Sequence, residues 1–188
     1  MKIAAILLAA GSSRRFGNAD KLAADFKGKP LISHAAQTLC DFAPDCLIAV
    51  VSSTTLHAEL SHFECVVQDY EPQSQSASLR AGIRVAMRNG VDRAIITLAD
   101  MPFLTIPLMQ ELLRKCTDNC ASATTDGSRR SVPACFPSGS FEALLKLEGD
   151  NGAREMLLDL PEAALVSVDG LELADIDSIG DLDRYAAK

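Results

Sequence analysis

Residues able to do chemistry fall in four short runs. The first, LLAAGSSRRFGNADKL (residues 7–22), leaves an apolar stretch through the small residues Ala9, Ala10, Gly11, Ser12 and Ser13. Small side chains let a backbone approach a ligand and turn its N–H groups on an anion, and Arg15 and Lys21 can add charge-assisted bonds to phosphate. Such a run suits a triphosphate cradle, and it equally suits an ordinary turn with solvated cations. It is neither the P-loop GxxxxGK[ST] nor the dinucleotide GxGxxG. The second run, QSQSASLRAG (residues 73–82), places Ser76 and Ser78 where a helix begins, with Arg80 and Gly82 just after. Free N–H groups there suit a polar or anionic ligand, although Ser76 can also be a plain N-cap. The third, LADMPF (residues 98–103), sets Asp100 at the end of a buried strand, where the turn imposed by Pro102 would aim a carboxylate at a hard cation. A bare aspartate in a turn is more commonly a cap. The fourth pairs GDNGAR (residues 149–154) with ADIDSIGDL (residues 174–182), inside a stretch, 148–183, of eleven acids and one base whose carboxylates are surface groups by default.

Positioning these residues requires a regular scaffold, and the periodicity supplies one. Residues 2–8 read as a buried strand and 46–51 is an unbroken apolar run, as in a strand covered on both faces, and between them Leu31, Ile32, Ala35, Ala36, Leu39 and Phe42 keep helical spacing over 31–42. The pattern continues with a short helix near 54–61, a strand at 64–68, a helix over 76–89 closed by Gly90, and a strand at 93–98. A helix over 105–116 follows, capped by Thr105 with Pro107 in its first turn. Strands near 121–125 and 131–136, helical stretches 138–147 and 152–160, a strand at 164–168 and a helix from Ile179 complete the chain. This alternation predicts a three-layer α/β/α, Rossmann-like domain with a mostly parallel sheet. Ligands then sit beyond the carboxyl ends of the strands, at residues 9–21 and 99–102. Arg80, Arg84 and Arg88 form a stripe that reads as a solvated helix face, with Arg80 set apart by its place nearest the helix start.

Composition narrows the function classes. With 188 residues, 48% hydrophobic and 23% charged, the chain can bury a real core and is read as one domain, 1–188. A net charge of −7 argues against tracking a nucleic-acid backbone, whereas residues 1–30 carry six basic and two acidic side chains and suit a small anion. The opening MKIAAILLAAGSS is read as a buried strand and turn, not as a secretory signal, and no apolar run reaches the ~18 residues of a membrane span. The six cysteines contain no CxxC pair, which points to reduced thiols in the cytoplasm; Cys116 and Cys120 could share a helix face but have no histidine beside them for zinc. His34 sits in an apolar helical pattern and reads as a packed or surface residue.

The first run resembles the LxxGxGxRxG…K signature of nucleotidyltransferases with a glycosyltransferase-A-like fold, and its LAAGxSxRFG form resembles the molybdenum cofactor cytidylyltransferases. Gly11, Ser13, Arg15, Phe16, Gly17 and Lys21 fall on the signature positions, Ser13 replacing a glycine. QSQSASLRAG resembles the family's GQSxSLRxG, with Ser74 in place of glycine, and SVPACF (residues 131–136) resembles GxPVLF without its leading glycine. GDNGAR resembles GDxGAR, and the 174–182 run resembles D-x-D-T-P-E-D-L, with Ser178, Ile179 and Gly180 departing from T-P-E. The resemblance implies a nucleotide held by Leu8, Ala9, Ala10, Gly11, Ser12, Ser13, Arg15, Lys21, Ser78, Arg80 and Gly82, with Arg15, Lys21 and Asp100 catalytic. It implies Mg²⁺ on Asp100 and Asp177, and an acceptor held by Asp150, Arg154 and Pro133. The implied reaction transfers CMP from CTP to the terminal phosphate of molybdopterin carrying molybdenum, and Ala10, where GTP-using relatives tend to have glycine, favours CTP. A recipient molybdoenzyme or its chaperone is the implied protein partner. The alternatives are a GTP-using relative, a transferase acting on a sugar or polyol phosphate, and a nucleotide-binding cofactor chaperone without chemistry.

Overall fold

The apolar run that opens the chain becomes the centre of a sheet. A computed structural model describes residues 1–11, 16, 20–68, 74–149 and 153–186. In β1 (Ile3–Ala9), Ala5, Leu7 and Ala9 enter one hydrophobic core while Ala4 and Ile6 enter another on the opposite face. A strand covered on both faces needs apolar residues at every position, which is why it reads IAAILLA without alternation. A small hairpin, β2 (Asp25–Phe26) with β3 (Lys29–Pro30), leads into α1 (Leu31–Phe42) and β4 (Cys46–Val51). Next come β5 (Glu64–Val67), α2 (Gln75–Arg88), β6 (Arg93–Leu98) and α3 (Ile106–Lys115). The chain continues through β7 (Ser122–Thr125), β8 (Arg130–Pro137), α4 (Phe141–Leu144), α5 (Arg154–Leu158), β9 (Leu165–Ser167) and α6 (Ile179–Ala186).

The seven-stranded sheet has the order β5-β4-β1-β6-β8-β7-β9, and β8 runs antiparallel to both of its neighbours while the other pairings are parallel. Helices α1 and α3 pack on one face and α2, α4 and α5 on the other, giving the expected α/β/α layers. From β1 the chain first builds outward through β4 and β5, then returns to lay β6 on the other side of β1. That reversal opens a crevice at the carboxyl ends of β1 and β6. The register pairs Leu8 with Leu98, and Ala99 N donates to Leu8 O at 3.0 Å, so residues 9–11 and 99–100 leave the sheet side by side.

Gly82 serves the layers. A Cβ built there would lie 2.6 Å from Ile6 Cγ2 and 3.4 Å from Val50 Cγ2, so the missing side chain is what lets α2 approach the sheet. Gly82→Ala gains ~1 kcal/mol of helix propensity, but overpacking a filled core costs about 1–3 kcal/mol. We expect a net loss, read as a fall in Tm of a few degrees; an unchanged or higher Tm would show that Ile6 can yield.

Several local expectations are corrected. Residues 55–62 form successive turns in place of a helix: His57 N donates to Thr54 O and Leu60 N to His57 O, both at 3.2 Å, and Phe63 N to Leu60 O at 2.9 Å. Bonds that each span three residues bury Leu56, Leu60 and Phe63 without propagating a helix. The cap of α2 is Ser74, whose hydroxyl accepts from Ala77 N at 3.2 Å; Ser76 lies wholly buried inside the helix. Cys116 ends α3 and Cys120 lies beyond it, so they share no helix face; all six cysteines stand as free thiols. His34 Nε2 lies 2.7 Å from Phe26 O, fixing the hairpin against α1.

Candidate active site

Five segments meet at the β1–β6 crevice around a cavity of about 350 Å³. The end of β1 contributes Leu8, Ala9, Ala10 and Gly11; the start of α2 contributes Ser74, Gln75 and Ser78; the end of β6 contributes Leu98, Ala99 and Asp100. Lys21, Leu22 and Asp177 close it. Lys21 opens a short 3₁₀ turn whose cap, Asp20, accepts from Leu22 N at 2.9 Å. Asp100 is tied to the C-terminal segment through its carbonyl, which accepts from Ile176 N at 3.0 Å. Asp177 sits just before α6, where Ser178 and Asp181 cap each other: Ser178 Oγ donates to Asp181 Oδ2 at 2.7 Å and accepts from Asp181 N at 3.2 Å. This Ser-x-x-Asp pair caps the start of α6, and its spacing is a readable capping signal.

The three charged groups are in contact. Lys21 Nζ donates to Asp100 Oδ2 at 2.6 Å and to Asp177 Oδ1 at 3.1 Å. Asp100 is largely buried, and its other oxygen, Oδ1, has no hydrogen-bond partner among the described residues. Burial pushes the Asp100 carboxyl above the usual carboxylate range; Lys21 opposes the shift, while Asp175 and Asp177 add to it. Burial of Lys21 works against its charge, yet the two carboxylates outweigh it and hold the ammonium above its ordinary value.

A second cavity, of about 390 Å³, shares Leu8, Gln75 and Leu98 with the first. Its floor is apolar, with Leu79, Ile96, Val132 and Leu157, and three arginines, Arg129, Arg130 and Arg154, line it. Two of them are engaged: Arg130 Nη1 donates to Leu160 O at 2.7 Å, and Arg129 pairs with Asp126 at 3.3 Å. Arg154 is exposed at the start of α5.

The predicted site residues separate into groups. Leu8, Ala9, Ala10, Gly11, Lys21, Ser78, Asp100 and Asp177 line the first cavity, and Arg154 lines the second. Arg80 and Gly82 line neither: Arg80 donates to Leu147 O, and Gly82 faces the sheet. Pro133 is buried in β8 beside the lining residues Ser131 and Val132. Ser12, Ser13, Arg15 and Asp150 lie outside the described residues. Phe16, a signature position, is a core residue. Sequence reasoning missed Gln75 and the buried Gln68, whose Oε1 accepts from Ser78 Oγ at 2.7 Å. Gln75 could have been found from the Ser74 cap immediately before it.

Residues 5–164 match the family of MobA-like NTP transferase domains. The chain belongs to this family. It is similar to the purine catabolism protein PucB of Bacillus subtilis, 31% identical with 95% of this chain and 93% of that protein covered. A molybdenum cofactor guanylyltransferase of Cereibacter sphaeroides is 30% identical over 72% of this chain and 68% of its own length. In structure the chain is similar to a nucleotidyl transferase from Methanothermobacter thermautotrophicus, with TM-score 0.84 and 20% identity, covering 99% of this chain and 96% of that one. The MobA-like chain is thus a nucleotidyltransferase of a three-layer α/β/α type.

The guanylyltransferase relatives overturn the expected cytidylyltransferase assignment and the choice of CTP as donor. The molybdenum cofactor enzymes to which this MobA-like chain is similar, from Cereibacter and Shewanella, are guanylyltransferases. The physical reason lies at Ala10. It is 2% exposed and packed in the core that holds Ile6 and Leu79, so its methyl group cannot serve as the size filter that would exclude a purine.

Proposed function

We propose that the chain transfers GMP from GTP to the terminal phosphate of a molybdopterin-type acceptor, releasing pyrophosphate. The observation that carries this reading is the contact of Lys21 with Asp100 and Asp177 at the switch point of the sheet, beside an arginine-bearing second cavity. The likeness to molybdenum cofactor guanylyltransferases supports the donor and the acceptor class.

The donor set fits Mg²⁺. Asp100 Oδ1 is buried without a partner, and among the described residues no three His, Cys, Asp or Glu side chains gather to enclose an ion. One or two carboxylates completed by phosphate oxygens and water is the arrangement magnesium commonly takes. Held by Asp100 and Asp177, the ion would supply neutralisation of the charge that builds on the α-phosphate and leaving pyrophosphate.

The chain's own groups then have defined tasks. Lys21 donates hydrogen bonds from its ammonium to triphosphate oxygens, and residues 9–11 line the cavity that receives the nucleotide. The N-terminus of α2 brings Ser74 and Gln75 to the same cavity, so the positive end of the helix dipole lies beside it. An acceptor phosphate is already anionic at neutral pH and needs no base, so catalysis reduces to in-line positioning and charge stabilisation. The apolar floor of the second cavity suits a fused-ring acceptor, and Arg154 suits its phosphate.

Calorimetric titration in Mg²⁺ tests the donor: GTP is expected to bind at least about tenfold more tightly than CTP and than GMP. CTP binding as tightly as GTP would remove the guanylyl assignment. Arg154→Glu is expected to raise the acceptor KM about tenfold and leave GTP affinity unchanged. Loss of GTP affinity in that variant would place Arg154 on the donor side.

A further inference from the structure

In the structure an ammonium stands between the two carboxylates that would hold the metal. Lys21 Nζ engages Asp100 Oδ2 at 2.6 Å and Asp177 Oδ1 at 3.1 Å, and its side chain is only 12% exposed. A divalent ion drawn to the same pair, or to the unpartnered Asp100 Oδ1, would sit within a few ångströms of that ammonium. Two cations so close in a partly buried site repel strongly, because little solvent lies between them to screen the charge. The lysine must therefore retreat for the metal to bind well. A triphosphate in the same cavity supplies somewhere for it to go, since its oxygens offer the ammonium replacement partners.

We propose that Lys21 is an internal counter-cation that occupies the Asp100–Asp177 pair in the nucleotide-free protein and moves to the triphosphate when nucleotide enters, making metal affinity conditional on nucleotide. This rests on the reading that the cavity takes a nucleoside triphosphate with its metal. The device does two things. It sets a positive charge between two carboxylates, and it keeps the free protein from holding an ion without substrate. By linkage, whatever factor the nucleotide adds to metal affinity, the metal adds to nucleotide affinity.

The test measures Mn²⁺ binding by the paramagnetic signal of the free ion, using the full chain without nucleotide. Lys21→Met keeps the length of the side chain and removes its charge; Lys21→Gln is a second neutral variant, and Lys21→Arg keeps the charge. Each folded variant is first matched to wild type by circular dichroism. Both neutral variants are expected to bind Mn²⁺ at least tenfold more tightly than wild type, and Lys21→Arg to show no gain. Equal or weaker binding in a folded neutral variant overturns the proposal. Calorimetry of GTP with wild type, with and without Mn²⁺, separates this from the parent reading: GTP binding indifferent to Mn²⁺ removes the metal–nucleotide site itself. GTP and Mn²⁺ that bind together, with no gain in the neutral variants, remove only the role of Lys21. Should neither neutral variant fold, wild type decides: Mn²⁺ affinity that GTP does not raise overturns the proposal.

Discussion

Asp100→Asn is expected to lower kcat by on the order of 10³-fold, the scale on which losing a charge-stabilising group costs phosphoryl-type transfer. The substitution keeps shape and volume at the end of β6 and removes the anionic charge aimed into the crevice. Stability should change little. The carboxyl titrates above its ordinary value in the folded protein, so ionisation burdens the fold as pH rises from the unfolded-state value through the folded one. At neutral pH the neutral amide lifts that burden, while Lys21 loses one carboxylate and keeps Asp177. We expect a Tm within about 4 °C of wild type, a change of about 1 kcal/mol. A large fall in Tm with activity per folded molecule intact would make Asp100 a structural cap.

Lys21→Ala is expected to cost about 10²-fold in kcat/KM for GTP and to weaken GTP binding far more than GMP binding. The proposed partner of the ammonium is the β- and γ-phosphate pair, which GMP lacks. The same change should tighten Mn²⁺ in the nucleotide-free protein, so one substitution moves two affinities in opposite directions. A solvated surface lysine would move neither. Equal losses for GTP and GMP, read by calorimetry, would assign Lys21 to the α-phosphate or the base.

Much of this was legible before any coordinates. The ranges of α1, β4 and β6 match their sequence readings, because strands covered on both faces and a helix with one apolar stripe leave unambiguous periods. The place of Asp100 was legible for the same reason, since it closely follows a buried strand, whereas a role for it came only from the resemblance. The β2–β3 hairpin was missed although Lys27 and Gly28, both at positive φ, form its turn; strands of two residues carry no period to detect. Leu56, Leu60 and Phe63 imitate a helical stripe while belonging to successive turns. Ser74 was passed over as a cap because it was weighed only as a substitute for glycine. The donor base was illegible at Ala10 for a different reason. Ala10 lines the first cavity but is only 2% exposed, and the methyl group on which that expectation relied packs in the core.

The Lys21–Asp100–Asp177 contact also changes how these acids are understood. In a stretch of eleven carboxylates and one base, composition does not mark Asp177 off from its neighbours, and only the resemblance to D-x-D-T-P-E-D-L singled it out. Its distinction comes from the Ser178–Asp181 cap and from the bond between Ile176 N and Asp100 O, which bring the C-terminal segment across to the end of β6. The bond between Ile176 and Asp100 joins residues 76 positions apart in the chain and has no local signature.

The central claim is tested most directly by turnover. Protein, Mg²⁺ and molybdenum-loaded molybdopterin are incubated with GTP, CTP, ATP or UTP in turn, following pyrophosphate release and identifying the product by mass. The predicted result is a guanine dinucleotide of the pterin formed from GTP with kcat/KM at least about tenfold above the other three nucleotides, and lost in Asp100→Asn. Preference for CTP, or tight GTP binding with no pyrophosphate released, would contradict it.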